Sequence, residues 1–116
     1  PFFLMVEGAQ IDSFGHVNNV AGIVAETIDF DTAITQALLF ADKNEGTLVI
    51  VTADHETSGF AIPQGNVKEH KIEGDFITVD HTATMVPIFS YGPHSKDFQG
   101  VYENNEVFHK ILSVLK

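Results

Sequence analysis

Apolar and polar positions along the chain predict three main strands. An uninterrupted apolar run, Phe2–Val6, is typical of a strand covered on both faces, as in parallel α/β sheets. The polar, glycine-containing segment 8–19 is interpreted as a loop. Two further runs that are apolar and rich in β-branched residues, Thr47–Ala53 and Met85–Tyr91, predict the other strands. Pro87 inside the last run favours an edge position or a bulge.

Apolar residues at helical spacing predict two helices. The first begins after Asn18 or Asn19, either of which could be its N-cap, and ends in a glycine-containing turn. Its apolar stripe consists of Val20, Ile23, Val24, Ile28, Ile34, Leu38 and Ala41. The second helix covers Glu103–Leu115, with a stripe formed by Val107, Ile111, Leu112 and Leu115. Phe2–Val6, the first helix and Thr47–Ala53 then predict a βαβ unit with a right-handed crossover.

Residues 56–80 separate the second strand from the third and differ from both in composition. Glycine, proline and mixed charge interrupt this segment, and Phe60–Ile62 and Phe76–Val79 predict short strands within it. Since buried strands and helices alternate on either side of it, the chain as a whole is predicted to have an α/β fold.

The charge balance excludes anionic macromolecules as partners. The net charge is −10, with 16 acidic residues against six lysines and no arginine. Nucleic acids and anionic membranes are bound mainly by positive charge, so neither is expected as a partner. Without cysteine, the chain forms no disulfide and no thiolate metal site. Pro1, followed at once by an apolar run, predicts that the sequence begins inside a longer protein.

Carboxylates and imidazoles lie where the predicted strands begin and end. The candidates, from three separate segments, are Glu7, Asp12, His16, Asp54, His55 and His81. The first three follow the first strand, the next two follow the second, and the last precedes the third. Because ligands of open α/β sheets bind beyond the carboxyl ends of the strands, we expect these segments to converge.

The mixture of imidazole and carboxylate has a definite chemical meaning. It suits zinc with four ligands at about 2.0–2.2 Å, whereas all-oxygen ligation suits magnesium or calcium. Each candidate taken alone is also compatible with a solvated loop or a strand end, and only their joint placement predicts a divalent metal site. The remaining histidines are interpreted as surface residues, and these are His70, His94 and His109.

Three motifs in order resemble the C-terminal part of bacterial alkaline phosphatases. They are VEGAQID followed by His16, then TLVIVTADH, and then HTATMVPIFSYGP, so that the resemblance covers essentially the whole chain. It implies a three-layer αβα sandwich that is truncated on its N-terminal side. Residues 1–116 would form the C-terminal part of one domain, with 56–80 as a variable excursion.

The family hydrolyses phosphate monoesters through a phosphoserine intermediate, with two zinc ions and one magnesium ion. By resemblance the ligands of the first zinc are Asp12, His16 and His81. Asp54 and His55 would be two ligands of the second zinc, and Glu7 one ligand of the magnesium. The nucleophilic serine and the phosphate-binding arginine lie earlier in the family's chains and have no counterpart here. We therefore expect this chain alone to be inactive. The resemblance leaves the role of Ser13 open.

The resemblance also bears on partners and location. It implies a periplasmic or secreted enzyme that acts on phosphate monoesters and is a homodimer when intact. A free C-terminal part would expose an apolar face and is expected to self-associate. Two alternatives remain open: a related metalloenzyme of the superfamily (a phosphodiesterase, phosphonate hydrolase or phosphoglycerate mutase), or a non-enzymatic metal-binding module. The residues preceding Pro1 would distinguish them.

Overall fold

The computed structural model describes residues 2–115, which fold into a mixed α/β chain. Within them the helices α1, α2 and α3 span Ala9–His16, Val20–Lys43 and Glu106–Val114. The strands β1 to β6 span Val49–Thr52, Glu56–Thr57, Ala61–Asn66, Lys71–Asp75, His81–Thr82 and Ile88–Tyr91. Two short 3-10 helices span Val67–Glu69 and Ser95–Phe98. No helix in the described part of the chain combines the length and apolarity that a bilayer crossing requires.

The chain divides into two compact units. The first consists of the residues up to Thr32 together with His55–Thr84, and the second of Ala33–Asp54 together with the residues from Met85 onward. Helix α2 contributes its first part to one unit and its last part to the other.

Helix α2 forms where the apolar stripe predicts it. Ile23 and Ala41, both members of that stripe, are buried. At the start of the helix, the side-chain oxygen of Asn19 accepts a 2.9 Å hydrogen bond from the Gly22 amide, which satisfies a donor left over by the first turn. The predicted helix and an asparagine N-cap are therefore confirmed. The closing helix is confirmed as well, although it begins at Glu106 and not at 103.

The segment 8–19 is not a loop, since it contains helix α1. The two large apolar residues of this short helix, Ile11 and Phe14, are half-buried. A β-carbon at Gly22 would overlap the Phe14 ring, so Phe14 packs directly against the backbone of α2. The loop interpretation is wrong because tertiary packing stabilises these eight residues, which have too few apolar positions to reveal a helical pattern.

The predicted strand Phe2–Val6 is also absent. Its side chains are 60–79% exposed, and no strand within residues 2–115 pairs with it. An apolar run becomes a strand only when a neighbouring strand completes its hydrogen-bond ladder. The βαβ unit and its right-handed crossover, which require this strand, are therefore not formed in the described residues.

Two antiparallel pairs build the strands of the first unit. In the shorter pair, β2 and β5, Glu56 lies opposite Thr82 and Thr57 opposite His81. In the longer pair, β3 and β4 form a hairpin around the first 3-10 helix. The strand predicted at Phe60–Ile62 overlaps β3. The strand predicted at 76–79 is absent, because backbone amides of this segment bond to the Ser58 carbonyl and not to a ladder.

The second unit contains the pair β1 and β6, which is antiparallel, with Val49 opposite Tyr91 and Thr52 opposite Ile88. The sequence pattern left the relative direction of these two strands open, because local patterning does not fix strand direction. Strand β6 begins just after Pro87, which has no amide hydrogen for a ladder. The Pro87 carbonyl instead accepts a 3.1 Å hydrogen bond from the Thr52 hydroxyl.

Candidate metal centre

Four of the six predicted ligands lie together in the first unit. Helix α1 contributes Asp12 and His16, which are one turn apart and therefore lie on the same side of the helix. His55 immediately precedes β2, and His81 begins β5. Ligand atoms of Asp12, His55 and His81 lie within 4.8 Å of one another. A helix and a two-residue ladder gather them within this unit.

Three ligand atoms form a nearly regular triangle. Asp12 Oδ1 lies 3.4 Å from His16 Nε2 and 3.6 Å from His81 Nε2, and the two Nε2 atoms are 3.2 Å apart. Ligand atoms bound to tetrahedral zinc at about 2.0–2.1 Å are separated from each other by about 3.3–3.4 Å. The triangle therefore fits one face of a tetrahedral zinc site. Its side chains are 38–48% exposed, so the cluster is open to solvent.

A backbone carbonyl fixes the orientation of the His16 ring. Its Nδ1 lies 2.5 Å from the Val79 oxygen. Because a carbonyl oxygen can only accept, Nδ1 carries the ring proton, and Nε2 keeps its lone pair on the side of Asp12 and His81. Histidines that bind metal ions are commonly oriented by such a hydrogen bond from their other nitrogen.

Thr57 connects Asp12 with His55, and sequence analysis missed it. Its hydroxyl donates a 2.5 Å hydrogen bond to Asp12 Oδ1 and lies 3.2 Å from His55 Nδ1. The His55 ring in turn stacks on that of His81, with ring centroids 3.5 Å apart. One signal was available: residues 55 and 57 are two apart on an extended segment and therefore share a face.

The surroundings of Asp12 favour its charged form. The hydrogen bond from Thr57 lowers the pKa of Asp12 below its ordinary value of 3.8, and the nearby charges of His16, His55 and His81 lower it further, against the opposing effect of desolvation. The side chain is therefore a carboxylate at neutral pH, which is the form that binds a cation.

Two predicted ligands do not belong to this cluster. Glu7 and Asp54 are not members of the group around Asp12, and their metal-binding roles stay predictions. The other three histidines are exposed and lie outside the group as well. One of them, His94, pairs with Asp97 at 3.1 Å.

Comparison with known proteins identifies the family. Residues 1–73 and 65–116 match the family model described as alkaline phosphatase. The chain belongs to the alkaline phosphatase family. The alkaline phosphatase of Escherichia coli K12 is 35% identical over 98% of this chain, and alkaline phosphatase 4 of Bacillus subtilis 168 is 41% identical over 91%. The chain spans only 28% and 23% of the length of these two alkaline phosphatases.

Solved alkaline phosphatase structures confirm the predicted fold class. The enzyme from the Antarctic bacterium TAB5 matches 97% of this chain with a TM-score of 0.90 and 52% identity. A variant of that enzyme with magnesium bound in its M3 site matches with a TM-score of 0.89 and 49% identity. The chain covers 35% of each. The described residues therefore have the fold of part of an alkaline phosphatase.

Proposed function

We propose that this chain is the C-terminal part of a metal-dependent phosphomonoesterase. The intact protein would hydrolyse phosphate monoesters through a phosphoserine intermediate, with two zinc ions and one magnesium ion. The observation that carries the proposal is the triangle of Asp12 Oδ1, His16 Nε2 and His81 Nε2, whose sides of 3.2–3.6 Å suit tetrahedral zinc. Membership of the alkaline phosphatase family supports it independently.

Each ligand has a proposed role. Asp12, His16 and His81 would hold the first zinc, and the Val79 carbonyl would keep the Nε2 lone pair of His16 directed at it. Further ligands from this chain would be Asp54 and His55 for the second zinc and Glu7 for the magnesium. When bound, the zinc ions supply Lewis-acid stabilisation of the charged phosphoryl oxygens.

Bound cations also reconcile the acidic chain with an anionic substrate. A net charge of −10 repels phosphate, but divalent ions at the carboxylates reverse the sign of the local field. The chain has no arginine to bind the non-bridging oxygens in two-point fashion. In this proposal that arginine and the nucleophilic serine come from the remainder of the protein, so the 116-residue chain alone has no turnover.

The proposal extends to assembly and location. We infer from the resemblance to the family that the intact protein is periplasmic or secreted and forms a homodimer. The exposed apolar segment Phe2–Val6 supports self-association of the chain when it is prepared alone.

Two measurements test the proposal. Calorimetry should detect zinc binding to the 116-residue chain, and Asp12→Ala and His81→Ala should each abolish it. In the intact protein the same substitutions should remove nearly all hydrolysis of a chromogenic phosphate monoester. His109→Ala, which changes an exposed histidine of α3, is the matched control and should leave both unchanged. Near-normal turnover in both ligand variants would contradict the proposal.

A further inference from the structure

We propose that Thr57 is a positioning residue whose single hydroxyl group fixes His55 and Asp12 together. It accepts a hydrogen bond from His55 Nδ1–H and donates one to Asp12 Oδ1, at 3.2 and 2.5 Å. The significance for zinc rests on the proposed function, because Asp12 and His55 are there assigned to different zinc sites. The hydrogen bonds themselves involve only side chains of this chain.

Counting protons decides the direction of each hydrogen bond. A threonine hydroxyl has one hydrogen to donate, and an ionised carboxylate can only accept. The short contact with Asp12 therefore uses the Thr57 hydrogen. The Oγ1 lone pairs are left for His55, so its Nδ1 carries the ring proton and its Nε2 is the unprotonated nitrogen. Thr57 thus selects the tautomer of His55 that can bind a cation through Nε2.

The backbone around Thr57 holds its side chain in place. Thr57 lies opposite His81 in the β2–β5 ladder. The next residue, Ser58, is completely buried and has a left-handed backbone with φ 72°. Its amide donates to the Asp80 carbonyl, and its own carbonyl accepts from two amides of the segment 77–78. Such a conformation persists only where its surroundings over-determine it, so Thr57 has little freedom to turn away.

Helix α1 closes the other side of Thr57. A β-carbon at Gly15 would lie 2.9 Å from the Thr57 methyl carbon, so the methyl group lies directly against the helix backbone at residue 15. The methyl group packs on α1 while the hydroxyl faces Asp12 and His55. Of the similar-sized side chains, serine can reproduce both hydrogen bonds, whereas valine can reproduce neither.

The first arm of the test reads the histidine tautomer without metal. Long-range ¹H–¹⁵N NMR of the metal-free chain, at a pH where the imidazoles are neutral, should show His55 protonated at Nδ1. Thr57→Val should move that proton toward Nε2, and Thr57→Ser should restore the wild-type pattern. His16, whose proton is set by Val79, should be unchanged in both variants and so reports that the site still folds. Protonation of His55 at Nε2 in the wild type would overturn the proposal.

The second arm measures zinc affinity by calorimetry. Loss of hydrogen bonds that orient metal ligands typically weakens binding about 10–100-fold, so Thr57→Val should fall in this range and Thr57→Ser close to wild type. Thr82→Val is the matched control, because Thr82 lies in the same ladder and its hydroxyl donates to Glu56 and not to a side chain of the cluster. Equal weakening by Thr82→Val would overturn the positioning role.

The two arms separate this inference from the proposed function. If the tautomers follow the expectation but the wild-type chain binds no zinc, the metal assignment fails and the positioning role of Thr57 stands. If zinc binds and neither the tautomer nor the affinity responds to Thr57→Val, the positioning role fails and the proposed function stands.

Discussion

Gly15 of α1 and Thr57 of β2 are so close that a β-carbon on the glycine would lie 2.9 Å from the threonine methyl carbon. Gly15 is buried, and a side chain there would meet a β-branched residue whose hydroxyl is already bonded to Asp12. The helix therefore approaches the strand as closely as it does because residue 15 has no side chain. This contact brings Asp12 within hydrogen-bonding distance of Thr57.

Gly15→Ala should destabilise the chain and weaken zinc binding. Alanine favours a helix interior over glycine by about 1 kcal/mol, but forcing a methyl group into a packed contact costs about 1–3 kcal/mol. We expect a net loss of up to about 2 kcal/mol in urea unfolding, together with a measurable fall in zinc affinity by calorimetry. Gly46→Ala is the control, since a β-carbon there meets nothing within 4 Å. Unchanged stability and affinity in Gly15→Ala would contradict the prediction.

The parts of the fold that local pattern determines could be predicted from the sequence. Helix α2, which has 24 residues, carries an apolar stripe from Val20 to Ala41 and a capping asparagine, so its existence and its start were both predictable. Helix α1 was not predictable, because its eight residues are stabilised by contacts with α2 and β2 that are distant in sequence. Phe2–Val6 failed for the converse reason, since no strand within residues 2–115 pairs with this apolar run.

The candidate site, like the fold, was predictable only in part. The type of each ligand and its position between secondary-structure elements identified Asp12, His16, His55 and His81 as candidates, and the structure brings them together. Thr57 was missed because threonine is common in strands, and its role depends on a contact with a residue 45 positions away. Long-range hydrogen bonds of this kind leave no pattern in the sequence.

Asn19→Ala should weaken helix α2. The side chain of Asn19 accepts from the Gly22 amide, and loss of such a cap costs about 1 kcal/mol (range about 0.5–2) in the free energy of unfolding. Asn19→Asp keeps the acceptor and should restore stability. Asn105 precedes α3 without a side-chain capping bond, so Asn105→Ala is the matched control and should change stability by less than about 0.5 kcal/mol. Equal effects of the two alanine variants would show that the cap contributes nothing.

Gly92→Ala should be the more damaging of two substitutions at glycines with positive φ. Gly92 has φ 99° and Gly100 has φ 119°, and both conformations are strained for alanine by about 1–3 kcal/mol. A β-carbon at Gly92 would also overlap the Thr47 carbonyl oxygen, whereas at Gly100 the nearest atom is 3.8 Å away on Tyr102. Chemical unfolding should therefore show a further loss of at least about 1 kcal/mol for Gly92→Ala. Equal losses would mean that the backbone near Thr47 moves aside freely.

Tyr91 should titrate at unusually high pH because of Asp42. Its hydroxyl donates a 2.6 Å hydrogen bond to Asp42 Oδ1, and this bond, followed by the negative charge of Asp42 and by desolvation, raises the pKa of Tyr91 above its ordinary value of 10.0. Because the pKa is raised in the folded state, the neutral phenol contributes stability that is complete below pH 10 and is lost as the pH rises through the folded-state value.

Ultraviolet titration in a Tyr102→Phe background, where Tyr91 is the remaining tyrosine, measures this pKa directly. Asp42→Asn removes the charge and should bring the midpoint down toward 10.0. An unchanged midpoint would refute the assignment of the shift to Asp42.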